Sequence, residues 1–563
     1  MVPGVAEVND RRWLVLAAVS LGMFMALLDA TIVNIAVPAI MTDLNTGITR
    51  VSWVLNAYNL GLAALFLSAG RLAARLGQKR VFIGGLVLFT LFSLACGFAP
   101  SIEWLIIFRV GQAIGGAAMA PVSLSILLGV FPQRQHGMAV GLWGALGAVA
   151  AALGPSLGGV IVQYAHWHWI FFINVPIGAI ALGMALWVVP ERRHAEAGAG
   201  LDLPAVLLST TGLFCLTLAL IQGHSWGWSS GRVIGLLVAA VVSYPLFLAW
   251  EFRTRNPMFD LRLMRIRSFT AANTAMLFIG TSMGGAVFLL VIFLVDVLGY
   301  TELRAALTIT PMPVVSLLIS PFVGRWVDRI GPRIPATIGA LFFAAGMFML
   351  SRLGAASTAW DATWRVMLVG VGIAFSMPVL AAAAMGSLPQ RSAGVGSGAL
   401  ATFRQIGFVL GVAVLVSIFT HTVATQVSVA TQKAVTYVNS QAQIPASAKA
   451  QIVASLQASA KSAGSGGNPA QHLENPLASA PQPPAGTAAA AAQKALGIAI
   501  DGIYKTHIAR AFRWPYYAAA FAALLALPFT LLTGRRLGEH AGHVEMNRGE
   551  RRAAAAGADA DGR

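Results

Sequence analysis

The sequence has 563 residues, of which 57% are hydrophobic and only 10% are charged, and its formal net charge is +17. A soluble protein of this size needs far more charged surface, so the composition predicts a membrane protein with many apolar helices of roughly 20 residues. Basic cytoplasmic loops explain the positive charge, and no nucleic-acid partner is expected. Cys96 and Cys215 lie in separate apolar runs, which favours two small core residues over a disulfide or a metal site.

Fourteen apolar segments are predicted as membrane helices, with the internal Gly and Pro residues that such helices tolerate. They lie at 13–37, 52–71, 81–99, 104–130, 137–162, 169–189, 203–222, 232–250, 268–295, 304–323, 335–352, 364–386, 393–421 and 513–533. Loops dense in Arg and Lys alternate with loops that contain none, so the positive-inside rule places the basic loops and both termini in the cytoplasm. The first apolar run is too long for a cleavable signal peptide.

One acid lies deep inside the first predicted span, in the stretch FMALLDATIVNIAVP. A charge at bilayer depth costs about 2.5–3.5 kcal/mol on insertion scales, so Asp29 should face a cavity or a partner. Desolvation makes a carboxyl group hold its proton more firmly, which suits a proton-coupled carrier. Thr31 and Asn34 supply polar groups nearby. The alternative is a structural acid that hydrogen-bonds the backbone near these two residues and never titrates.

A basic loop after the second span, GRLAARLGQKR, is repeated after the tenth span as GRWVDRIGPR. Both copies place a second Gly seven residues after the first, and the copies are separated by close to half the chain. The first copy has Ala74 where the second has an acid. The residues of interest are Gly70, Arg71, Arg75, Gly77 and Arg80 in the first copy, and Gly324, Asp328 and Arg329 in the second.

The separation of the two copies corresponds to eight helices, which predicts a particular domain organisation. Helices 1–6 and 9–14 would form two six-helix bundles, with helices 7 and 8 inserted between them. The N-terminal bundle then covers 1–200, the inserted helices and a basic linker cover 201–267, and the C-terminal bundle covers 268–534. A cytoplasmic tail follows at 535–563. The predicted fold class is an all-α polytopic membrane protein with fourteen transmembrane helices.

Two buried bases lie in the fourth and thirteenth predicted spans. Arg109 has Gln112 one helical turn further on, and Arg404 is followed by Gln405. Arginine stays charged, so each guanidinium needs an acceptor or water inside the bundle. Arg109 could stabilise ionised Asp29 in one state and release it in another, with a static anchor as the alternative. For Arg404 the static anchor is favoured.

The fifth span consists almost entirely of small residues, which let helix backbones approach closely. Its proline removes a backbone donor and can kink the helix. A close, bent seam between the two halves could act as a hinge or a proton seal, and tight packing without a moving role is the alternative. The residues of this pattern are Gly144, Gly154, Pro155, Gly158 and Gly159.

Two stretches on the outer side have features that could indicate a metal site or a partner-binding segment. The sequence HWHW at 166–169 lacks the cysteines or carboxylates of a zinc site, so Trp167 and Trp169 are interpreted as interface anchors and no metal is expected. Residues 422–512 join the last two spans in a segment rich in Ala, Gln, Ser and Pro. Parts at 446–461 and 492–512 could be amphipathic helices. We expect a solvated, half-ordered extension that is dispensable for folding.

Six motifs in this order resemble the major facilitator superfamily, and most of all the fourteen-span drug:proton antiporters of the EmrB/QacA type. They are LLDATIVNIAVPAI, GRLAARLGQKR, FRVGQAIGGAAMAP, GALGAVAAALGPSLGGVI, WHWIFFINVPIG and GSGALATFRQIGFVLGVAV. The resemblance implies a proton-coupled exporter of hydrophobic or amphipathic compounds in the bacterial cytoplasmic (inner) membrane, of the multidrug efflux and antibiotic resistance type. It implies no cofactor, because the proton gradient supplies the energy.

The partners implied are the lipid bilayer, protons, a small lipophilic substrate and a periplasmic adaptor that could bind at 422–512. Two departures from the family pattern are present. Ala74 interrupts the charge relay of the first basic loop, and helix 2 carries Asn56 and Asn59 where some multidrug members have an acid. Strongly cationic drugs are therefore less strongly indicated as substrates.

The sequence is also compatible with other functions. One is a lipid, siderophore or metabolite exporter of the same fold with a narrower substrate range. Another is a nontransporting sensor or scaffold, although a buried acid and two buried bases would then lack an evident purpose. A membrane enzyme is not expected, because the sequence has no cluster of catalytic His, Asp or Cys side chains near an interface. An ATP-driven pump would need a separate subunit, since no GxxxxGK[ST] phosphate loop is present.

Overall fold

The computed structural model describes residues 5–46, 48–132, 136–191, 202–254, 261–388, 393–441, 446–464 and 488–534. Within these ranges the regular elements are helices, with no β-strand. Twelve of the helical segments are long and apolar enough to cross a membrane, as expected of a multi-pass membrane protein. Two more helices, α2 (Ile48–Leu76) and α5 (His136–Tyr164), occupy the other two predicted positions but are not among the twelve, so the count of fourteen spans stays a prediction.

The remaining helices follow the predicted spans closely. Those of the first part are α1 (Val5–Asp43), α3 (Gln78–Gly97), α4 (Ile102–Val130), α6 (Trp169–Phe172), α7 (Asn174–Val188), α8 (Leu203–Trp226) and α9 (Gly231–Arg253). Those of the second part are α10 (Arg267–Gly284), α11 (Ala286–Ile292), α12 (Glu302–Ile309), α13 (Pro311–Ile330), α14 (Arg333–Leu350), α15 (Ala359–Gly386), α16 (Ala393–Ser440), α17 (Ala446–Gly464), α18 (Ala488–Ala511), α19 (Arg513–Leu525) and α20 (Leu527–Leu532).

In the first part, α4 is held at the centre by α1, α2 and α3. Small residues make this contact close: a Cβ atom added to Gly115 would lie 2.4 Å from the backbone nitrogen of Phe89, so α3 and α4 touch backbone to backbone. Helix α1 packs in turn on α5 and α7. Polar side chains of α4 are thereby enclosed by α1, α2 and α3 and withdrawn from lipid.

In the second part, α10 and α16 form the equivalent close contact. Added Cβ atoms at Gly407 and Gly411 would lie 2.1 Å and 2.2 Å from carbonyl oxygens of α10. Helices α14 and α15 pack together, and α13 and α19 pack on them. The large apolar core of this part extends from Phe269 to Ala526 in sequence.

The two parts meet along two seams, α5 against α12 and α13, and α2 against α16. Helices α8 and α9 pack on each other, and α8 also contacts α2 and α16. Much of α9 is exposed apolar surface, including Val238 at 56% and Val241 at 69%, as expected of a helix that faces lipid. The division into two six-helix bundles with an inserted pair stays a prediction.

The segment predicted as a long outer loop is largely helical, and the predicted end of span 13 at residue 421 is wrong. Helix α16 continues to Ser440, and α17 and α18 pack against it. Leu496, Ile500 and Tyr504 of α18 are buried, and the Tyr504 and Thr431 hydroxyls are 2.7 Å apart. The helices predicted at 446–461 and 492–512 are present as α17 and α18, and apolar residues at helical spacing give α16, α17 and α18 a shared core. Residues 442–445 and 465–487 lie outside the described residues.

The repeated basic loops end in the same backbone turn. Gly77 follows α2 with a φ of +104°, and Gly331 follows α13 with a φ of +81°. Both are the second glycine of their copy, and left-handed backbone of this kind favours glycine. The two copies therefore share a local structure as well as a sequence pattern.

Candidate functional site

Asp29 of α1 forms a buried ion pair with Arg109 of α4. Both side chains are 0% exposed, and the Arg109 Nη1 donates to Asp29 Oδ2 at 2.5 Å. The same nitrogen donates to Gln112 Oε1 at 2.7 Å, and Gln112 Nε2 donates to Asp29 Oδ1 at 2.9 Å. The three residues thus form a closed hydrogen-bonded ring. Fully desolvated charges need such partners, because an unpaired buried charge is strongly destabilising.

Sequence reasoning missed two further members of this network. Asn174, at the start of α7, donates from Nδ2 to Asp29 Oδ1 at 3.1 Å and to Ser93 Oγ of α3 at 3.0 Å. Ser93 Oγ donates to the carbonyl oxygen of Phe171 at 2.9 Å. Both are polar residues inside predicted apolar spans and are 0% exposed. Their polarity within an apolar run was the signal that could have identified them.

Tyr58 of α2 lies between this network and the interior of the molecule. The Arg109 guanidinium carbon is 4.1 Å from the centre of the Tyr58 ring, and Arg109 Nε donates to the carbonyl oxygen of Val54 at 3.1 Å. Arg109 Nη2 has no hydrogen-bond partner in the described part of the chain. An aromatic face stabilises a desolvated cation, and Tyr58 supplies one here.

A cavity of about 460 Å³ lies between the two parts of the chain and is lined mainly by apolar side chains. Met276, Met283, Phe288 and Phe408 are among its lining residues, and Tyr58 is another. Concave, mostly apolar cavities with a few polar groups are typical small-molecule sites. Tyr58 therefore contacts both the ion pair and the cavity, whereas Asp29 and Arg109 are not among the described lining residues.

Thr31 and Asn34 line the cavity but do not hydrogen-bond Asp29, contrary to the proximity expected from the sequence. Thr31 Oγ1 donates to the carbonyl oxygens of Leu27 and Leu28, and Asn34 Nδ2 donates to that of Ala30 at 3.0 Å. At 3.6 residues per turn, Thr31 and Asn34 lie about 160° and about 140° around the helix from Asp29. One helix thus presents its acid to α4 and its smaller polar groups to the cavity.

Arg404 and Gln405 of α16 also line the cavity. Gln405 Nε2 donates to Asn59 Oδ1 of α2 at 2.8 Å, which joins the two parts of the chain. Arg404 makes no ion pair or hydrogen bond with any residue in the described ranges. The static anchor favoured for this residue therefore lacks the acceptor it requires.

The sequence profile of the Major Facilitator Superfamily matches residues 19–412. The chain belongs to this superfamily. A tetracenomycin C resistance and export protein of Streptomyces glaucescens is 33% identical over 72% of this chain and 76% of its own length. The multidrug resistance protein Stp of Mycobacterium tuberculosis is 36% identical over 73% of this chain and 76% of its own length. The multidrug export protein EmrB of Escherichia coli is 32% identical over 68% and 75%.

Solved structures agree with the superfamily fold. A bacterial homologue of the human lysosomal transporter Spinster, in an inward-facing and unoccupied conformation, superposes with a TM-score of 0.56. The comparison covers 93% of this chain and 96% of the other at 17% identity, which supports the fold alone. As a member of this superfamily, the chain is a membrane transporter.

The small residues of α5 make close contacts with α1 in the first half and with α12 in the second. A Cβ atom at Gly154 would lie 1.9 Å from Thr31 Oγ1, and one at Gly158 would lie 2.9 Å from Ile32 Cγ1, so both glycines press α5 onto α1. Gly159 faces the second half, since its added Cβ atom would lie 3.1 Å from the Leu303 Cα. Gly159 thus lies at the contact between the two halves, whereas Gly154 and Gly158 lie at a contact within the first half. The role of this helix as a hinge or a proton seal stays a prediction.

The other members of the α5 pattern have different surroundings. Pro155 and Gly144 line the cavity, and an added Cβ atom at Gly144 would meet nothing within 4 Å. Ser156 Oγ lies 2.5 Å from Thr310 Oγ1 across the seam. Helix α5 is continuous from His136 to Tyr164 and contains Pro155.

The first basic loop has an acid partner that its own sequence lacks. Glu191, which follows α7, lies 3.5 Å from Arg80 Nε, and a Cβ atom added to Gly77 would clash with its carboxylate. Gly70 is buried in α2 and Arg75 is exposed at the end of that helix. The side chain of Arg71 lies outside the described ones.

The second basic loop has no such ion pair. Asp328 and Arg329 are exposed, Gly324 is half-buried, and Asp328 makes no ion pair within 4 Å in the described part of the chain. The Arg325 guanidinium carbon lies 5.9 Å from the Phe322 ring centre. Among the described residues, Asp328 therefore pairs with neither Arg325 nor Arg329.

The HWHW stretch contributes a structural contact on the outer side. Trp167 is 2% exposed and its Nε1 donates to Asp43 Oδ2 at 2.8 Å, so its assignment to an interface belt is wrong. Trp169 is 57% exposed, as expected of an interface anchor. The ring centres of His166 and His168 are 6.1 Å apart. Groups of three or more metal-ligating side chains are absent from the described residues.

Proposed function

We propose that this protein is a proton-coupled antiporter that exports hydrophobic or amphipathic small molecules across the bacterial cytoplasmic membrane. The observation that carries the proposal is the fully buried Asp29–Arg109 pair, joined through Tyr58 to an apolar cavity between the halves. The relatives support the export direction, since their names describe export and multidrug resistance. The basic loops support a cytoplasmic position for both termini.

The chemistry of coupling would begin at the Asp29 carboxylate. Protonation neutralises this group, and Arg109 then loses its charged acceptor while Gln112 still accepts from Nη1. An uncompensated guanidinium in a dry site is unfavourable, so the helices that carry the network would rearrange. Tyr58 would transmit that movement to the cavity wall. The proton gradient is the energy source, and no cofactor takes part in these steps.

Transport would follow from alternating access of the cavity to the two sides of the membrane. The bundles at 1–200 and 268–534 would move against each other along the α5 seam, as in carriers whose binding site lies between structural repeats. Gly159 permits the close contact with α12 at which such movement would occur, since its added Cβ atom would lie 3.1 Å from the Leu303 Cα. We also propose that the α16–α18 extension provides the surface for a periplasmic adaptor.

Gradient-driven efflux in proteoliposomes tests the proposal. Wild-type protein should export lipophilic probes only when a pH gradient is imposed, and Asp29→Asn should abolish that export because the amide cannot exchange a proton. Arg109→Ala should impair the same step. Asp501→Asn is the matched control, since this acid forms a partly exposed ion pair with Lys505 far from the site in sequence. Normal gradient-driven efflux by a well-folded Asp29→Asn protein would contradict the coupling role.

A further inference from the structure

The cavity between the halves contains one charged side chain among its described lining residues, Arg404. The other polar groups there are neutral and include Asn34, Asn56, Asn59 and Gln405. No aspartate or glutamate is present in that described lining. The electrostatic environment of the cavity is therefore set by one positive charge and several neutral dipoles.

Arg109, which is buried, and Arg404, which is half-buried in the cavity wall, differ in how their charges are balanced. Arg109 is paired with Asp29 and donates to Gln112 and to a backbone carbonyl. Arg404 has no acceptor among the described residues, although its neighbour Gln405 is bonded across the interface to Asn59. A guanidinium keeps its charge at any accessible pH, and its planar fork matches oxyanions. The Arg404 charge is thus not offset by any described acid of the protein, so an oxyanion in the cavity could accept from its guanidinium.

An apolar surface surrounds this charge. Met276 and Met283 of α10, Phe288 of α11 and Phe408 of α16 line the same cavity. Methionine and phenylalanine side chains accommodate flat or irregular apolar bodies. A ligand that satisfies both features has an apolar body and one acidic oxygen group. A lipophilic cation would meet the Arg404 charge without an acid to offset it.

We propose that Arg404 is an anion-binding subsite of the central cavity, and that the preferred substrates are amphipathic compounds bearing a carboxylate, sulfonate, phenolate or enolate. This inference rests on the proposed export function and specifies its substrate class. Arg404 binds the acidic group, and the methionine and phenylalanine side chains of α10, α11 and α16 hold the apolar body. Lipophilic cations bind less well to the same cavity.

Two fluorescent probes with one aromatic skeleton test the subsite. Anilinonaphthalene sulfonate carries an anionic group that phenylnaphthylamine lacks, and each is titrated into full-length protein in nanodiscs with empty nanodiscs subtracted. Arg404→Gln should weaken binding of the sulfonate by about tenfold to hundredfold, the range expected for a charge-assisted hydrogen bond, and should weaken the neutral probe much less. Equal losses for both probes, or an unchanged sulfonate affinity, would overturn the proposal.

Arg232→Gln is the matched control, because it removes the same charge from an exposed position on α9 outside the described cavity lining. An equal loss of sulfonate affinity in this variant would attribute the effect to net charge and overturn the subsite. The wild-type protein gives an independent test if Arg404→Gln does not fold. Decanoate should displace the sulfonate probe more effectively than decylammonium, and the reverse order would also refute the proposal.

Failure of this inference can be told apart from failure of the export function. Proton-driven efflux of phenylnaphthylamine together with equal losses of the two probes in Arg404→Gln would reject the anion subsite alone. Binding of the sulfonate that depends on Arg404, without gradient-driven efflux of either probe, would support the subsite and reject proton-coupled export.

Discussion

At the scale of single residues, the Asp29 site depends on neutral donors as much as on its arginine. Its two carboxylate oxygens accept from Arg109, Gln112 and Asn174, which come from two other helices. Hydrogen bonds to a charged group contribute about 1.5–3 kcal/mol each, so every one of these donors stabilises the ionised form. Asn174 also bonds Ser93 and thereby joins α1, α3 and α7 at one point.

We therefore expect Asn174→Ala to reduce gradient-driven efflux by about tenfold, the factor that corresponds to about 1.4 kcal/mol. The variant removes one donor to Asp29 and leaves Ser93 Oγ without its asparagine partner. Efflux in proteoliposomes and thermal unfolding of the purified protein provide the measurements. Asn273→Ala is the control, since Asn273 is equally buried in α10 and donates only to the Phe269 carbonyl among the described residues. Equal efflux defects in the two variants would indicate a general packing effect.

At the scale of elements, α5 shows how one helix serves two contacts. Gly154 and Gly158 face α1, Gly159 faces α12, and Pro155 and Gly144 face the cavity. The small residues are thus distributed around the helix and do not form a single stripe. Their arrangement lets α5 lie close to both halves while part of its surface borders the cavity.

Replacement of Gly154 by alanine should destabilise the protein by about 1–3 kcal/mol, the usual cost of overpacking. The new methyl group would meet Thr31 Oγ1 and Cβ and would push α5 away from α1. Thermal unfolding in detergent measures the effect, and Thr31→Ala in the same protein should restore part of the loss. Gly144→Ala, in the same helix with open space around it, should leave the unfolding temperature nearly unchanged. A similar loss in both glycine variants would contradict this account.

At the scale of the whole molecule, few polar contacts join the two halves. Gln405 donates to Asn59, Ser156 lies beside Thr310, and Ser397 Oγ donates to the carbonyl oxygen of Pro121 at 3.4 Å. Neutral hydrogen bonds of this kind contribute about 0.5–1.5 kcal/mol each, which is small enough to be broken and remade during a transport cycle. These hydrogen bonds stabilise the present conformation only weakly.

Asn59→Ala and Gln405→Ala should each shift the conformational equilibrium away from this arrangement. The double variant should differ little from either single variant, because the two residues share one hydrogen bond and should show a coupling energy of about 0.5–1.5 kcal/mol. Distances between spin labels on α2 and α16 would report the populations. Additive shifts would show that the two side chains act through separate contacts.

Features that depend on neighbouring residues, such as helices and repeated loops, could be predicted from the sequence. Apolar runs specified the helices, and glycine spacing identified the two basic loops as copies, which the structure shows with a positive φ at Gly77 and at Gly331. The isolated acid in the first span and the base in the fourth also predicted a buried partner for each, because charge at membrane depth must be compensated. These inferences needed only local composition and the physics of the bilayer.

The contacts between distant side chains follow from the tertiary structure and not from local sequence. It brought Asn174 to Asp29 across 145 positions of sequence, separated Thr31 from that acid on opposite faces of α1, and left Arg404 in the cavity without a described acceptor. It also extended α16 to Ser440, beyond the predicted end of that span at residue 421, where the helix is buried against α18. Periodicity fixes the faces of a helix but not their neighbours, which depend on how each helix is rotated and packed against distant parts of the chain.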